Sequence, residues 1–260
     1  MPSDALRNSL KSLWDNGQPA VGTMVLVCSD LAVAQIAAAA GMDYVYYDLE
    51  HRPQHSQKIH DLCQMTRLSG MAALVGPKDI EPHSISHALD LGANAIVLPH
   101  VETVEEVKMG IEATLYPPLG RRGAAGVAGH NMYVPHPIAE QVTRMNEQTQ
   151  LLLKVESDSA IDRLEELVEP EGVAGVTTGP LDLSLSMGLA GKADSAQVRR
   201  LTERVQKVCE QRGIAFGAQA STPDDVRRAL DSGAQWVTAS YDGAALQAHW
   251  QELAAVKPAR

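Results

Sequence analysis

The feature that most constrains this chain is an alternation, kept up almost end to end, of short apolar runs with amphipathic stretches of helical spacing. The runs read as strands over Ala20–Val27, Tyr44–Glu50, Ala72–Gly76 and Ala95–Val101, then Leu151–Ser157, Val173–Thr178, Ala215–Ala220 and Trp236–Tyr241. Several are apolar almost without interruption, the pattern of parallel strands covered on both faces. Between them, Thr103–Leu115, Ser159–Val168, Ser195–Gln211 and Pro223–Leu230 space Leu, Val and Ile against Glu, Arg and Lys as helices do. Thr103 ahead of Glu105 and Glu106, and Thr222 ahead of Pro223 and two aspartates, mark helix starts. Three helix ends pass through a glycine into a strand, at Gly41, Gly92 and Gly233, where the left-handed backbone that closes a helix is expected. Eight strand–helix units in 260 residues predict an α/β fold, a (β/α)8 TIM barrel forming a single domain over residues 1–260. A doubly wound open sheet is the competitor, but no strand is followed by GxGxxG.

Residues 116–150 break the rhythm with YPPLGRRGAAGVAGHNMYVPHP, and a connection of that length is expected to be functional or interfacial. With 45% hydrophobic and 21% charged residues the chain is an ordinary folded domain. Its net charge of −10 disfavours non-specific binding to nucleic acid or anionic membrane, and ten aromatic residues make base-stacking platforms a poor fit. Cys28, Cys63 and Cys209 are far apart and form no CxxC pair, so neither a disulfide framework nor a zinc knuckle is expected. The N-terminal MPSDALRNSLKSLWDNG lacks the apolar core of a signal peptide, and no run of about eighteen apolar residues occurs. These features point to a cytoplasmic protein.

In such a barrel the chemistry gathers at the C-terminal ends of the strands. Lys154 and Glu156, two residues apart in LLLKVES, share one face of a strand and point into the barrel mouth. Buried there, they either pair with each other as a plug or meet a ligand. In VTTGPLDLSLSMG, Gly179 and Pro180 stop a strand and Asp182 follows in the next turn. Asp182 and Glu156 could converge on one hard divalent cation, leaving positions for a bidentate 2-oxo acid; a capped helix start explains the same turn. Asp48 and Glu50 share a face in YYDLEHRP, with His51 at the strand tip. Asp90 ends the helix after the third strand, so barrel geometry does not obviously bring it near His51. His100 ends the fourth strand and is expected at the pocket edge, whereas His130, His136, Arg121 and Arg122 in the long segment suit either a closing loop or an interface.

The motifs YDLEH, LDLGANAIVLPHV, YPPLGRRG, KVES and GPLDLSLSMG, in this order and spacing, resemble the HpcH/HpaI aldolase family of class II, metal-dependent pyruvate aldolases, over most of the chain. The resemblance implies a (β/α)8 barrel, commonly in a homo-oligomer (hexamer or trimer), that cleaves or forms 4-hydroxy-2-oxo acids, with pyruvate and an aldehyde as the small-molecule partners. It implies Glu156 and Asp182 as ligands of Mg²⁺ or Mn²⁺, with Co²⁺ as a third cation, His51 as general base, and Asp90 as the aspartate that raises its basicity. Gly179, Pro180, Leu181 and Asp182 would form the cradle of the pyruvate carboxylate, with the amides of Leu181 and Asp182 as donors. Two departures stand out: Gly76 where the family carries an arginine on the third strand, and Lys154 where it commonly has glutamine. The expectation drawn from them is that Lys154 supplies the displaced positive charge, with Lys78 as a weaker substitute; a lysine is a point charge and not a planar fork. Decarboxylation of oxaloacetate on the same site, or a non-catalytic metabolite-binding barrel, are the alternative readings.

Overall fold

The computed structural model describes residues 9–52 and 55–257. Residues 1–8 of the polar N-terminal stretch lie outside them. After α1 (Leu10–Trp14), the chain alternates β1 (Ala20–Val25), α2 (Ala32–Ala39), β2 (Tyr44–Asp48), α3 (Ser56–Leu68), β3 (Ala72–Gly76), α4 (Pro82–Asp90), β4 (Ala95–Leu98) and α5 (Val104–Thr114). A 3-10 turn (Gly129–Asn131) and α6 (Ile138–Gln148) lead to β5 (Gln150–Val155), α7 (Asp158–Asp162) and α8 (Leu164–Leu167). The second half is completed by β6 (Val173–Thr178), α9 (Pro180–Ser186), α10 (Ala196–Arg212), β7 (Ala215–Ala220), α11 (Pro223–Asp231), β8 (Trp236–Tyr241) and α12 (Asp242–Ala254). All neighbouring strands pair in parallel and β8 returns to β1, closing the barrel.

The expected helix starts hold: Thr103 with Glu106, and Thr222 with Asp225, form reciprocal capping boxes. Strand ends are set by side chains that capture the next backbone groups. The Asp242 carboxylate accepts from the amides of Leu26 (2.9 Å), Val27 (3.0 Å) and Cys28 (2.6 Å), which ends β1 short of the expected Val27. Asp48 accepts from the amide of Glu50 (2.9 Å) and ends β2 in the same way. β4 stops at Leu98 because Pro99 has no amide to donate and His100 turns into the left-handed region at φ +49°.

Period-two alternation sorts the strand residues into an outer layer packed under the helices and an inner layer that fills the barrel. With few aromatics available, the inner layer sets large rings against glycines. A Cβ at Gly22 would lie 2.4 Å from the Tyr44 ring, and one at Gly217 2.1 Å from the Trp236 indole. Leu10 of α1 closes the lower end and Trp14 packs on Trp236 at 5.6 Å between ring centroids. The interior below the mouth is thus solid, and open chemistry is confined to the upper rim.

The middle of the 116–150 segment packs under α3 and α4, on the side where β4 begins. Arg67 donates to the carbonyls of Gly92 (3.2 Å), Gly129 (3.3 Å) and His130 (2.9 Å), and buried Arg122 lies over the Tyr116 ring. His130 is 2% exposed, and its Nε2 faces the amide nitrogen of Gln141 at 2.9 Å. Burial first, then the neighbouring Arg122, lowers its pKa from 6.5 to about 4. The unfolded chain therefore binds a proton that the folded one refuses, and the stability His130 supports above about pH 6.5 is lost as pH falls toward about 4. Urea unfolding at about pH 7.5 and about pH 4.5 should show the wild type losing about 2 kcal/mol more than His130→Gln. Equal losses would show that His130 does not set this acid sensitivity.

Candidate active site at the barrel mouth

The inner-face alternation that places Tyr44 and Tyr46 in the core carries Asp48 to the mouth on β2, and places Lys154 above Leu152 on β5. Lys154 (6% exposed) brings Nζ to 2.6 Å from Oε1 of Glu156 (4% exposed). Burial works against the ammonium, but Glu156, Asp48 and Glu50 outweigh it and raise the lysine pKa. Burial also pushes the Glu156 carboxyl up, with Lys154 and His100 pulling against it.

Glu156 Oε2 accepts the backbone amide of His100 at 3.1 Å and faces His100 Nδ1 at 3.3 Å. The other ring nitrogen of His100 meets Glu50 Oε1 at 2.7 Å, and Glu50 Oε2 faces His51 Nε2 at 3.6 Å. A chain Lys154–Glu156–His100–Glu50–His51 therefore crosses the mouth from β5 to β2. The left-handed backbone of His100 costs about 1 kcal/mol and aims both its amide and its ring at Glu156. Burial lowers the His100 pKa, but Glu156 and Glu50 overcome it and raise the value above 6.5.

One group of side chains has the spacing that a hard cation needs. Asp48, Glu50 and His51 offer three ligand atoms all within 4.8 Å of one another, the one such group among the described residues. Glu156 Oε1 is buried, and the group facing it is the Lys154 ammonium at 2.6 Å. Gly179 rests on that oxygen, for a Cβ there would stand 2.5 Å from it. Gly179 precedes α9, which opens on Pro180, and Asp182 lies in its first turn, half-buried and in no ion pair among the described residues. Leu183 is the first amide to bond back to Gly179 (2.8 Å), so those of Leu181 and Asp182 have no acceptor within the helix.

Asp90 is not brought to His51 within the chain. α4 runs back down the barrel wall, so its last residue lies near the start of β4, at the end opposite the tip of β2 and His51. Its carboxylate is held by Arg122 at 2.8 Å. Within one chain it cannot tune His51. Lys78 is mostly exposed and faces Asp79 at 3.6 Å, outside the buried chain of groups. Sequence reasoning gave no role to Tyr46, whose ring rises between these groups. A bulky inward residue beside a glycine on the next strand was the available signal.

The profile of the HpcH/HpaI aldolase/citrate lyase family matches residues 23–248. A 2-keto-3-deoxy-L-rhamnonate aldolase of Escherichia coli (strain K12) is 32% identical over 238 residues, covering 91% of this chain and 88% of its own. Among solved structures, an HpcH/HpaI aldolase from Desulfitobacterium hafniense DCB-2 superposes with a TM-score of 0.92 at 28% identity, over 97% of this chain and 98% of that one. An HpcH/HpaI aldolase/citrate lyase family protein from Burkholderia cenocepacia J2315 gives 0.84 at 26% identity, over 99% and 100%. No described helix is long and apolar enough to cross a membrane. With a closed barrel, a rim of carboxylates and histidines, and matches along nearly its whole length, the chain belongs to the HpcH/HpaI aldolase/citrate lyase family and is a carbon–carbon lyase.

Proposed function

We propose that the enzyme cleaves 4-hydroxy-2-oxo acids by a retro-aldol reaction at the barrel mouth, using a divalent cation, Mg²⁺ or Mn²⁺ with Co²⁺ as a third, held by Glu156 and Asp182. The observation that carries this reading is the buried Glu156 carboxylate, joined through His100 and Glu50 to His51 at the barrel mouth. When bound, such a cation supplies Lewis-acid polarisation of the 2-oxo group. The amides of Leu181 and Asp182 receive the substrate carboxylate. His51, steadied by Glu50, takes the proton of the 4-hydroxyl. The C3–C4 bond then breaks, the aldehyde leaves, and its electron pair becomes the enolate of pyruvate. The Lys154 ammonium faces the developing oxyanion, and protonation at C3 completes the product.

The test is a panel of 4-hydroxy-2-oxo acids assayed for pyruvate release with and without chelator, with oxaloacetate as a separate substrate. The expected result is aldehyde-forming, chelator-sensitive release. Borohydride with pyruvate should leave Lys154 unmodified, and a covalent adduct there would replace this mechanism with an imine. The 2.6 Å contact between Lys154 and Glu156 favours a second reading, in which the ammonium plugs the cation position and the barrel only binds metabolites. Calorimetry separates the two: with pyruvate present, Mn²⁺ binds under the first reading and not under the second.

A further inference from the structure

The register of β2 on β3 sets Asp48 opposite Gly76, both on the inner face at the mouth. Two residues below Asp48, Tyr46 points the same way and is 6% exposed. Its ring reaches up into the space a side chain on residue 76 would need. A Cβ built on Gly76 would lie 2.5 Å from Tyr46 Oη, 3.1 Å from Cε2 and 3.2 Å from Cζ. The hydroxyl thus sits beside Gly76, the residue paired with Asp48, and lies in the field of the Asp48 carboxylate. A neutral phenol at that height is a donor for a carboxylate. Asp48 in turn accepts the amide of Glu50, the residue that links His51 to His100.

We propose that Tyr46 is a positioning residue of this site, on the reading that catalysis occurs at the barrel mouth: its hydroxyl, seated where a side chain of residue 76 would be, orients Asp48 and through it the Glu50–His51 pair. A consequence is that β3 can present no cation here while Tyr46 is in place, so positive charge must come from β5, where Lys154 supplies it. Tyr46, Gly76 and Lys154 form one interdependent set, and changing one member alone is expected to fail.

Tyr46→Phe keeps the ring and removes only the hydroxyl. The expected result is a fall of about 10- to 100-fold in kcat for pyruvate release, with KM for the 2-oxo acid changed by less than about two-fold. A tyrosine that only fills space would leave kcat untouched, and that outcome overturns the proposal. A second arm does not depend on turnover. Gly76→Ala is expected to lower Tm on its own, because its methyl meets the hydroxyl, and Tyr46→Phe/Gly76→Ala to recover most of the loss. Simple additivity of the two Tm changes would show that the hydroxyl does not occupy that space and would equally end the proposal. Failure of the functional reading shows separately, as a wild type that releases no pyruvate from any member of the panel, and the melting arm then decides the placement of Tyr46.

Discussion

Glu156→Gln is expected to lower kcat/KM for pyruvate release by about a thousand-fold, because a group worth several kcat-determining kcal/mol in the transition state loses its anionic anchor. The substitution is nearly isosteric, so the His100 amide, now 3.1 Å from Oε2, keeps an acceptor. What changes is charge. Lys154 loses the partner at 2.6 Å and retains only the field of Asp48 and Glu50. Removing one member of a buried pair typically costs about 3 kcal/mol or more, so the variant should melt lower as well as turn over more slowly. Calorimetry with Mn²⁺ distinguishes the two effects: a folded variant, checked by circular dichroism, should show no Mn²⁺ heat. Retention of activity within about ten-fold of wild type would remove Glu156 from the centre of the mechanism.

How far the sequence spoke depended on the range of the forces involved. Local periodicity and capping are short-range, and Ala72–Gly76, Val173–Thr178, Ala215–Ala220 and Trp236–Tyr241 are strands over the expected residues. β1, β2, β4 and β5 end earlier than expected: Asp48, Pro99 and the helix cap Ser157 are local causes for the last three, whereas that of β1 is not local. Asp242 reaches β1 from the far end of the chain, and the left-handed His100 is a tertiary outcome. The i, i+2 rule placed Lys154 and Glu156 together, and the structure pairs them. The same rule, applied to Asp48 and Glu50, passes over Tyr46, whose meaning lies in its neighbour Gly76, a contact set by strand register. Asp90 illustrates the opposite limit. The resemblance tied it to His51, and within one chain the direction of α4 carries it to the other end of the barrel, where Arg122 holds it.

Lys154→Met tests the charge at the mouth from the other side. Methionine approximates the length and volume of lysine without the ammonium, so packing against the inner layer is largely kept. Asp48, Glu50 and Glu156 then lose the ammonium whose charge they share, and only His100 stands between Glu50 and Glu156. The cation-free variant is expected to be less stable by about 3 kcal/mol. Added Mn²⁺ should recover more stability than it gives the wild type, because it no longer competes with an ammonium 2.6 Å from Glu156 Oε1. If Lys154 faces the developing enolate, kcat falls by about 100-fold even at saturating Mn²⁺, the loss expected for one preorganised electrostatic group. If the ammonium is instead a plug, wild type binds no Mn²⁺ and Lys154→Met acquires the capacity. Glu156→Gln and Lys154→Met thus move Mn²⁺ affinity in opposite directions while both depress turnover, a pair of signs that general loss of structure cannot produce.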